Sequence, residues 1–385
     1  MKLGRNEQCH CGSGKKYKKC HLREEEGIEQ ALKHFASLPK EPFEKGGFLT
    51  GRGFIDTVFQ DKRARAVGNV VYMRPLDETF HIFLLRRLVD TFGVDWLTEQ
   101  NTLPENERHP MFAWFEEMRL AIERGGNSDP THKIVGLDLT GNMKALLAIA
   151  YDFYSLQHCQ AKILPKLLKR LKDKKQFQGA RYEIAVGGLV VRSGFQIEWI
   201  NEKEKHCEFI GTHKITGDKV AFEAKSHHRG GVLGQPNTKG DFDAESARIK
   251  VLDHIKEALD QSPKDTPLLI FDDLNLPLTP GMEYKEKRWF KEVEAQLEPN
   301  KFSFHGTQYA GLFLTNFSWH FENEMPKELR KHNEVMAYFH VGGPFSLKSE
   351  TILSFLKPAA EQYGFVPPKE EEFEEVRRWL ERKKS

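Results

Sequence analysis

The stretch from Gly179 to Arg229 reads as one helix followed by three strands, and it carries Glu183, Glu208, Glu223 and Lys225. Its third strand, Val220-Ala-Phe-Glu-Ala-Lys225, sets Glu223 and Lys225 two residues apart. Alternate residues of a strand share a face, so this carboxylate and this ammonium point into one small volume. Glu208 lies on the preceding strand, Cys207-Glu-Phe-Ile-Gly211, and the turn Thr216-Gly217-Asp218 permits a hairpin that brings Glu208 beside Glu223. Two carboxylates that close repel each other unless a proton or a cation intervenes. At neutral pH a divalent ion answers that repulsion, and oxygen-only ligands select Mg²⁺ or Mn²⁺.

A chain of 385 residues exceeds one ordinary core, so two or three domains are expected. Hydrophobic residues make up 39%, with 28 Phe and 6 Trp, which is enough apolar surface for true cores. The net charge of +2 is nearly balanced, so any nucleic-acid surface must come from local clusters of Lys and Arg. No apolar run reaches the roughly 20 residues that span a bilayer. The polar, basic N-terminus has no signal-peptide stretch, and no membrane partner is expected. Three of the five cysteines fall within residues 9–20, while Cys159 and Cys207 stand alone. That usage suits a reducing cytoplasm better than a disulfide framework.

Residues 4–21 read Gly-Arg-Asn-Glu-Gln-Cys9-His-Cys11-Gly-Ser-Gly-Lys-Lys-Tyr-Lys-Lys-Cys20-His21. Three thiols and an imidazole in so short a span match the three-Cys, one-His set that holds structural Zn²⁺, and Gly12 and Gly14 permit the tight reversal of a knuckle. The segment resembles the SEC-C motif, best known from the zinc-binding tail of the bacterial preprotein translocase motor ATPase. The resemblance implies that Cys9, Cys11, Cys20 and His21 are the ligands. His10 is an alternative imidazole, placed awkwardly between two of them. Lys15, Lys16, Lys18 and Lys19 surround the knuckle with Tyr17 among them, and residues 1–23 hold seven Lys/Arg against one Glu. This patch suits nucleic-acid phosphates with one stacking ring. A protein or ribosome partner, as in the translocase, is equally open, and a merely solvated charge run is the plain alternative.

Glu24-Glu-Glu26 starts a helix predicted to end before Pro39, and Gly46-Gly-Phe-Leu-Thr-Gly-Arg-Gly53 reads as a connection because it lacks the Gly-Lys-Ser/Thr ending of a phosphate loop. From about residue 77 to 175 the periodicity is helical. Phe80, Phe83, Leu84, Leu88 and Phe92 form a stripe after Asp77, a candidate N-cap. Pro110 opens a helix through Met111, Trp114, Phe115, Met118 and Ile122, and a third helix covers 142–159. Aromatic residues at that spacing are core rather than base-stacking platforms. Residues 162–175 hold seven Lys/Arg against one Asp, with Ile163, Leu164, Leu167, Leu168 and Leu171 on one side. Lys169, Arg170 and Lys172 on its other face read as contacts to a phosphate backbone, with a solvated linker helix as the bland alternative.

The central stretch resolves into a helix over 180–193 and strands over 195–201, 206–213 and 219–227. A glycine-rich turn follows at Gly230-Gly231 and Gly234, then a helix over 243–260 capped by Asp241 or Asp243, then a buried strand, Leu268-Leu-Ile-Phe271. This α-β-β-β-α-β order, with an acid on the second strand and Glu-x-Lys on the third, resembles the PD-(D/E)xK superfamily of restriction-endonuclease-like phosphodiesterases. The resemblance covers about residues 178–275, with an outer reach to 345, and implies an α/β fold with a mixed central sheet. On it, Glu223 is a metal ligand and Lys225 orients and deprotonates the attacking water. Glu208 takes the place of the first acid, where the family usually has Asp, often after Pro. Glu183 corresponds to a further acid on the preceding helix, and Gly187 and Gly188 let that helix approach the sheet closely. Asp218, in the turn, is a poorer candidate. The implied reaction is Mg²⁺- or Mn²⁺-dependent hydrolysis of phosphodiester bonds by a metal-activated water, with DNA rather than RNA as substrate. His227, His228 and Arg229 follow as contacts to neighbouring phosphates or as a polar strand end.

The rival reading is a catalytically silent fold of the same kind that binds nucleic acid or protein, with the knuckle as a docking module for a ribosomal or chaperone partner. Further on, a helix over about 284–297 turns Trp289, Phe290, Val293 and Leu297 inward, and Tyr309–Thr315 and Val335–His340 read as added strands. The expected organisation is a zinc knuckle over 1–24, an all-helical domain over 25–177, the α/β domain over 178–350 and a C-terminal helical segment over 351–385.

Overall fold

A computed structural model describes residues 4–9, 14–20, 22, 55–59, 62–125, 127–128, 135–200, 206–235, 247–277, 279, 282–297, 310–317, 319–324, 336–342 and 347–355. The expected helix after Glu24, the connection at Gly46–Gly53, the caps Asp241 and Asp243 and the C-terminal segment from residue 356 onwards lie outside the described residues.

Three strands, β1 (Ile55–Phe59), β2 (Lys62–Val67) and β3 (Val70–Arg74), form an antiparallel sheet of their own. The segment 25–177 is therefore not all-helical, and the reason is chemical. The inward residues of β2 include Arg63 and Arg65, both buried, so its alternation is hidden behind charged residues. The Arg65 guanidinium donates to the carbonyls of Glu78 and Thr79 at 3.0 and 2.9 Å and lies over the Phe80 and Phe83 rings, which makes its burial tolerable. Gly68, at φ 60°, supplies the reversal between β2 and β3.

The helices follow their predicted stripes. In α1 (Phe80–Phe92), Phe80, Phe83, Leu84, Leu88 and Phe92 are buried, and Thr79 rather than Asp77 is the cap, its hydroxyl accepting from the Ile82 amide at 3.3 Å. After α2 (Val94–Thr102), α3 (Pro110–Glu123) begins at a proline, where no amide partner is needed. A short pair, β4 (Asn127–Ser128) and β5 (Val135–Gly136), leads to α4 (Gly141–His158), which is buried around most of its circumference and packs on α1, α3 and α6 (Phe177–Arg192). Between α4 and α6 runs the short basic helix α5 (Pro165–Lys172), which buries Leu167 and Leu171.

A mixed sheet follows. Its strands are β6 (Phe195–Trp199), β7 (Phe209–His213), β8 (Lys219–Ser226), β9 (Leu268–Asp273), β10 (Ala310–Thr315) and β11 (Met336–Gly342), and they lie side by side in reverse numerical order among the described residues. Pairs β8–β9 and β9–β10 are parallel and the rest antiparallel. Helices α7 (Val251–Gln261) and α8 (Arg288–Leu297) cover one face, and a five-residue helix, α9 (Ser349–Leu353), ends the described chain. The period-2 pattern divides the cores. Leu269, Phe271 and Phe313 join α1, α4 and α6 in one, while Leu268, Ile270, Leu312 and Leu314 face Val251, Ile255 and Trp289 in the other. The helical segment and the sheet thus share a core.

Gly187 lies against the Trp199 ring of the sheet, whereas Gly188 faces α4. A Cβ at Gly188 would stand 2.6 Å from Asp152 Oδ1 and 3.0 Å from its Cα. Asp152 is itself held in a buried ion pair with Arg192 at 2.9 Å. Gly188→Ala is therefore expected to destabilise the fold by about 1–3 kcal/mol through overpacking. A urea midpoint equal to the wild type's would contradict this close crossing of α4 and α6.

Candidate functional site

The pairing of β7 with β8 sets Phe209 opposite Phe222, and one step further the Glu208 amide donates to the Phe222 carbonyl at 3.0 Å. That register lays Glu208 beside Glu223, as the hairpin predicts. Glu183 reaches the same place from α6. Each acid feels the others. Burial and the charges of Glu183 and Glu223 push the Glu208 carboxyl well above the usual carboxylate range. Burial also raises Glu183, with Arg170 opposing, and its carboxyl shares a hydrogen bond with that of Glu208. Glu223 is raised to about 7, by burial first and in part by Glu183, against the pull of Lys225. Without a cation, protons must fill this cluster.

Two bases meet it. Lys225 Nζ lies 3.0 Å from Glu223 Oε1, 3.5 Å from Glu257 Oε2 and 2.8 Å from Gln261 Oε1, so α7 helps aim the amine. Arg170 grips Glu183 with both terminal nitrogens at 2.8 and 2.6 Å. Arg170 is thus part of the acidic site and not a free phosphate contact, because the turn of α5 that buries Leu167 and Leu171 swings it towards α6. The second Glu223 oxygen, Oε2, is buried without a hydrogen-bond partner. A pocket of about 330 Å³ opens over Glu183 and Glu208 and is also lined by Lys166, Arg170, Trp199 and His206. Carboxylate oxygens of Glu183 and Glu208 at an open pocket, with the buried Glu223 beside them in the ladder, suit a hard divalent cation.

The remaining candidates fall elsewhere. Lys169 is exposed, and Lys172 sits half-buried with its amine 5.9 Å from the Phe92 ring centre. Arg229 donates to the carbonyls of Arg248 and Leu274 at 3.1 and 2.9 Å, which ties its guanidinium to the protein rather than presenting it to phosphates. Asp218 accepts from the Lys348 amide at 3.1 Å, at the start of α9. In the leader, Cys9 is buried, Cys20 is half-buried and the two lie near each other. The Cys9 amide donates to Lys15 O at 2.9 Å and the Tyr17 amide to Glu7 O at 2.8 Å, closing the small loop. Lys15, Lys16, Lys18 and Lys19 are exposed, but Tyr17 is buried and cannot stack on a base. Cys11, His21 and His10 lie outside the described residues.

Sequence reasoning missed a second cluster. His227, His254 and Asp272 gather at the ends of β8 and β9 against α7. His254 Nδ1 is 3.0 Å from both Asp272 oxygens, and His227 Nε2 is 3.5 Å from Oδ1. Burial alone would raise Asp272, yet the two imidazoles hold it at about 2. Asp272 raises His254 in turn, against burial. The one available signal was the charged pair Asp272-Asp273 ending a strand that is otherwise apolar.

Residues 5–23 match the SEC-C motif. No curated protein matches the chain.

The raised Glu223 carboxyl predicts how the metal-free protein answers pH. Between the ordinary 4.5 and about 7 the folded chain holds a proton that the unfolded chain has lost. Stability contributed by that proton is full below pH 4.5 and falls as pH rises through this window, by up to about 3 kcal/mol. In chelator, Glu223→Gln should flatten the urea-midpoint profile between those limits. Parallel wild-type and variant profiles would contradict the raised carboxyl.

Proposed function

We propose that this chain is a metal-dependent nuclease of the PD-(D/E)xK kind acting on DNA, with an SEC-C leader that holds structural Zn²⁺. The observation that carries the reading is the β7–β8 register that sets Glu208 next to Glu223, the latter with one oxygen on Lys225 and one unpartnered. Glu208 and Glu223 would hold Mg²⁺ or Mn²⁺. When bound, such a cation neutralises charge on a scissile phosphate and lowers the pKa of a water. Lys225, fixed by Glu223 and Gln261, presents an ammonium beside the acids, where it orients the attacking water and offers charge to a phosphate oxygen. Glu183 stands behind Glu208, and Arg170 keeps it in place. In the departure from the usual Asp, Glu208 carries one more methylene. Its backbone is pinned by the Phe222 carbonyl, which limits how far that extra length displaces the carboxylate.

The leader is assigned Cys9, Cys11, Cys20 and His21 as Zn²⁺ ligands, a set whose chemistry suits a closed tetrahedral site. The exposed Lys15, Lys16, Lys18 and Lys19 around it favour a phosphate-bearing or acidic partner, and the buried Tyr17 argues against base stacking.

The test is incubation of the full chain with supercoiled plasmid, single-stranded DNA and RNA, with Mg²⁺, Mn²⁺ or chelator. DNA cleavage that needs the cation and falls about 10²–10⁴-fold in Lys225→Ala, with DNA binding retained, is the expected result. Salt-sensitive binding with no cleavage under either cation would overturn the enzyme and leave a silent binding fold. Cleavage of RNA alone would overturn the substrate.

A further inference from the structure

We propose that His227, Asp272 and His254 form a second cation site, separate from the acidic cluster, that takes a divalent d-block ion of the Zn²⁺ class. Each of the three side chains offers one ligand atom, and all three atoms lie within 4.8 Å of one another. Zn–N and Zn–O bonds of ~2.0–2.1 Å place neighbouring ligand atoms of a tetrahedron roughly 3.3 Å apart. The separations from Asp272 Oδ1, 3.0 Å to His254 Nδ1 and 3.5 Å to His227 Nε2, bracket that edge.

A second observation points the same way. His227 Nε2 is buried, and its nearest carboxylate oxygen, Asp272 Oδ1, stands at 3.5 Å, too far for a well-formed hydrogen bond. The Asp272 oxygens lie nearer to His254 Nδ1, at 3.0 Å, than to His227 Nε2. A cation seated among these atoms would take both imidazole nitrogens and one carboxylate oxygen at once. Two imidazoles with a carboxylate favour Zn²⁺ and its d-block neighbours over Mg²⁺, which demands oxygen ligands.

The site is also held rigid before any ion arrives. The His227 amide donates to Asp273 O at 3.0 Å, and its carbonyl accepts from Asn275 Nδ2 at 3.1 Å. Asp272 is paired along β9 with Lys225 of β8, and His254 rides on α7, which packs against β9. Preorganised ligands of this kind lose little freedom on binding. Three protein ligands leave a fourth position of the tetrahedron open. Access is from the His254 side, whose side chain is 17% exposed, against 4% for His227 and 0% for Asp272. The triad requires neither the nuclease reading nor the zinc leader.

The full chain, stripped with chelator, is titrated with Zn²⁺ and then Co²⁺. Bound metal is counted by elemental analysis after desalting, and the Co²⁺ visible spectrum is recorded. The triad predicts one equivalent lost in His254→Gln and in His227→Gln, with a cooperative thermal transition of each metal-free variant confirming that it is folded. Cys9→Ser should remove the thiolate-to-cobalt bands and leave the nitrogen–oxygen site's weaker bands. Glu223→Gln should keep the equivalent. Unchanged stoichiometry and spectrum in His254→Gln would overturn the site even if His227→Gln fails to fold. Loss of the equivalent in Glu223→Gln alone would also overturn it, by assigning the ion to the acidic cluster.

Discussion

Three buried carboxyls coupled through their charges, Glu183, Glu208 and Glu223, are the constraint around which this chain is arranged. Like charges in a buried place are tolerated only with protons, counter-charges or a bound cation. The protein supplies part of each. Arg170 neutralises Glu183, Lys225 neutralises one side of Glu223, and the Glu183–Glu208 pair shares a hydrogen bond. The compensation is incomplete at Glu223 Oε2, which has no hydrogen-bond partner, and at Glu208, whose carboxyl is pushed up by burial and by the charges of Glu183 and Glu223. A cluster kept for stability alone would be better replaced by apolar residues of similar volume.

Helix α6 makes this arrangement possible. Four nearly consecutive residues reach four different parts of the fold. Gln178 donates to the carbonyls of Arg229 and Val232, Arg181 pairs with Asp273, Tyr182 meets Thr315, and Glu183 enters the acidic site. The helix therefore carries polar contacts to three strand ends while its other side packs on α4. Gly187 and Gly188 let α6 sit close to both Trp199 and Asp152. The same geometry fixes the ends of β8 and β9, where His227 and Asp272 stand.

Much of this was legible in the sequence where the signal was local. Alternation along β8 put Glu223 and Lys225 on one face, the Gly217 turn set the register to Glu208, and apolar stripes located α1, α3 and α4. What was not legible depends on contacts between distant segments. Arg63 and Arg65 look like solvent-facing residues until Glu78, Thr79 and two phenyl rings are found around Arg65. Arg170 reads as part of a basic run, and only the packing of α5 on α6 turns it to Glu183. His227, His254 and Asp272 come from the segment just after β8, from α7 and from β9, with no spacing rule to unite them. Tyr17 lies among lysines and is nevertheless buried by the loop that spaces Cys9 from Cys20.

The most direct measurement is a crystal of the full chain soaked in Mn²⁺ and read by anomalous scattering. The account predicts a peak between the carboxylates of Glu208 and Glu223, with the previously unpartnered Glu223 Oε2 among the ligands and Lys225 still beside Glu223. No density there at saturating Mn²⁺, with the Glu183–Glu208 hydrogen bond intact, would contradict it and leave the cluster a proton-filled structural feature.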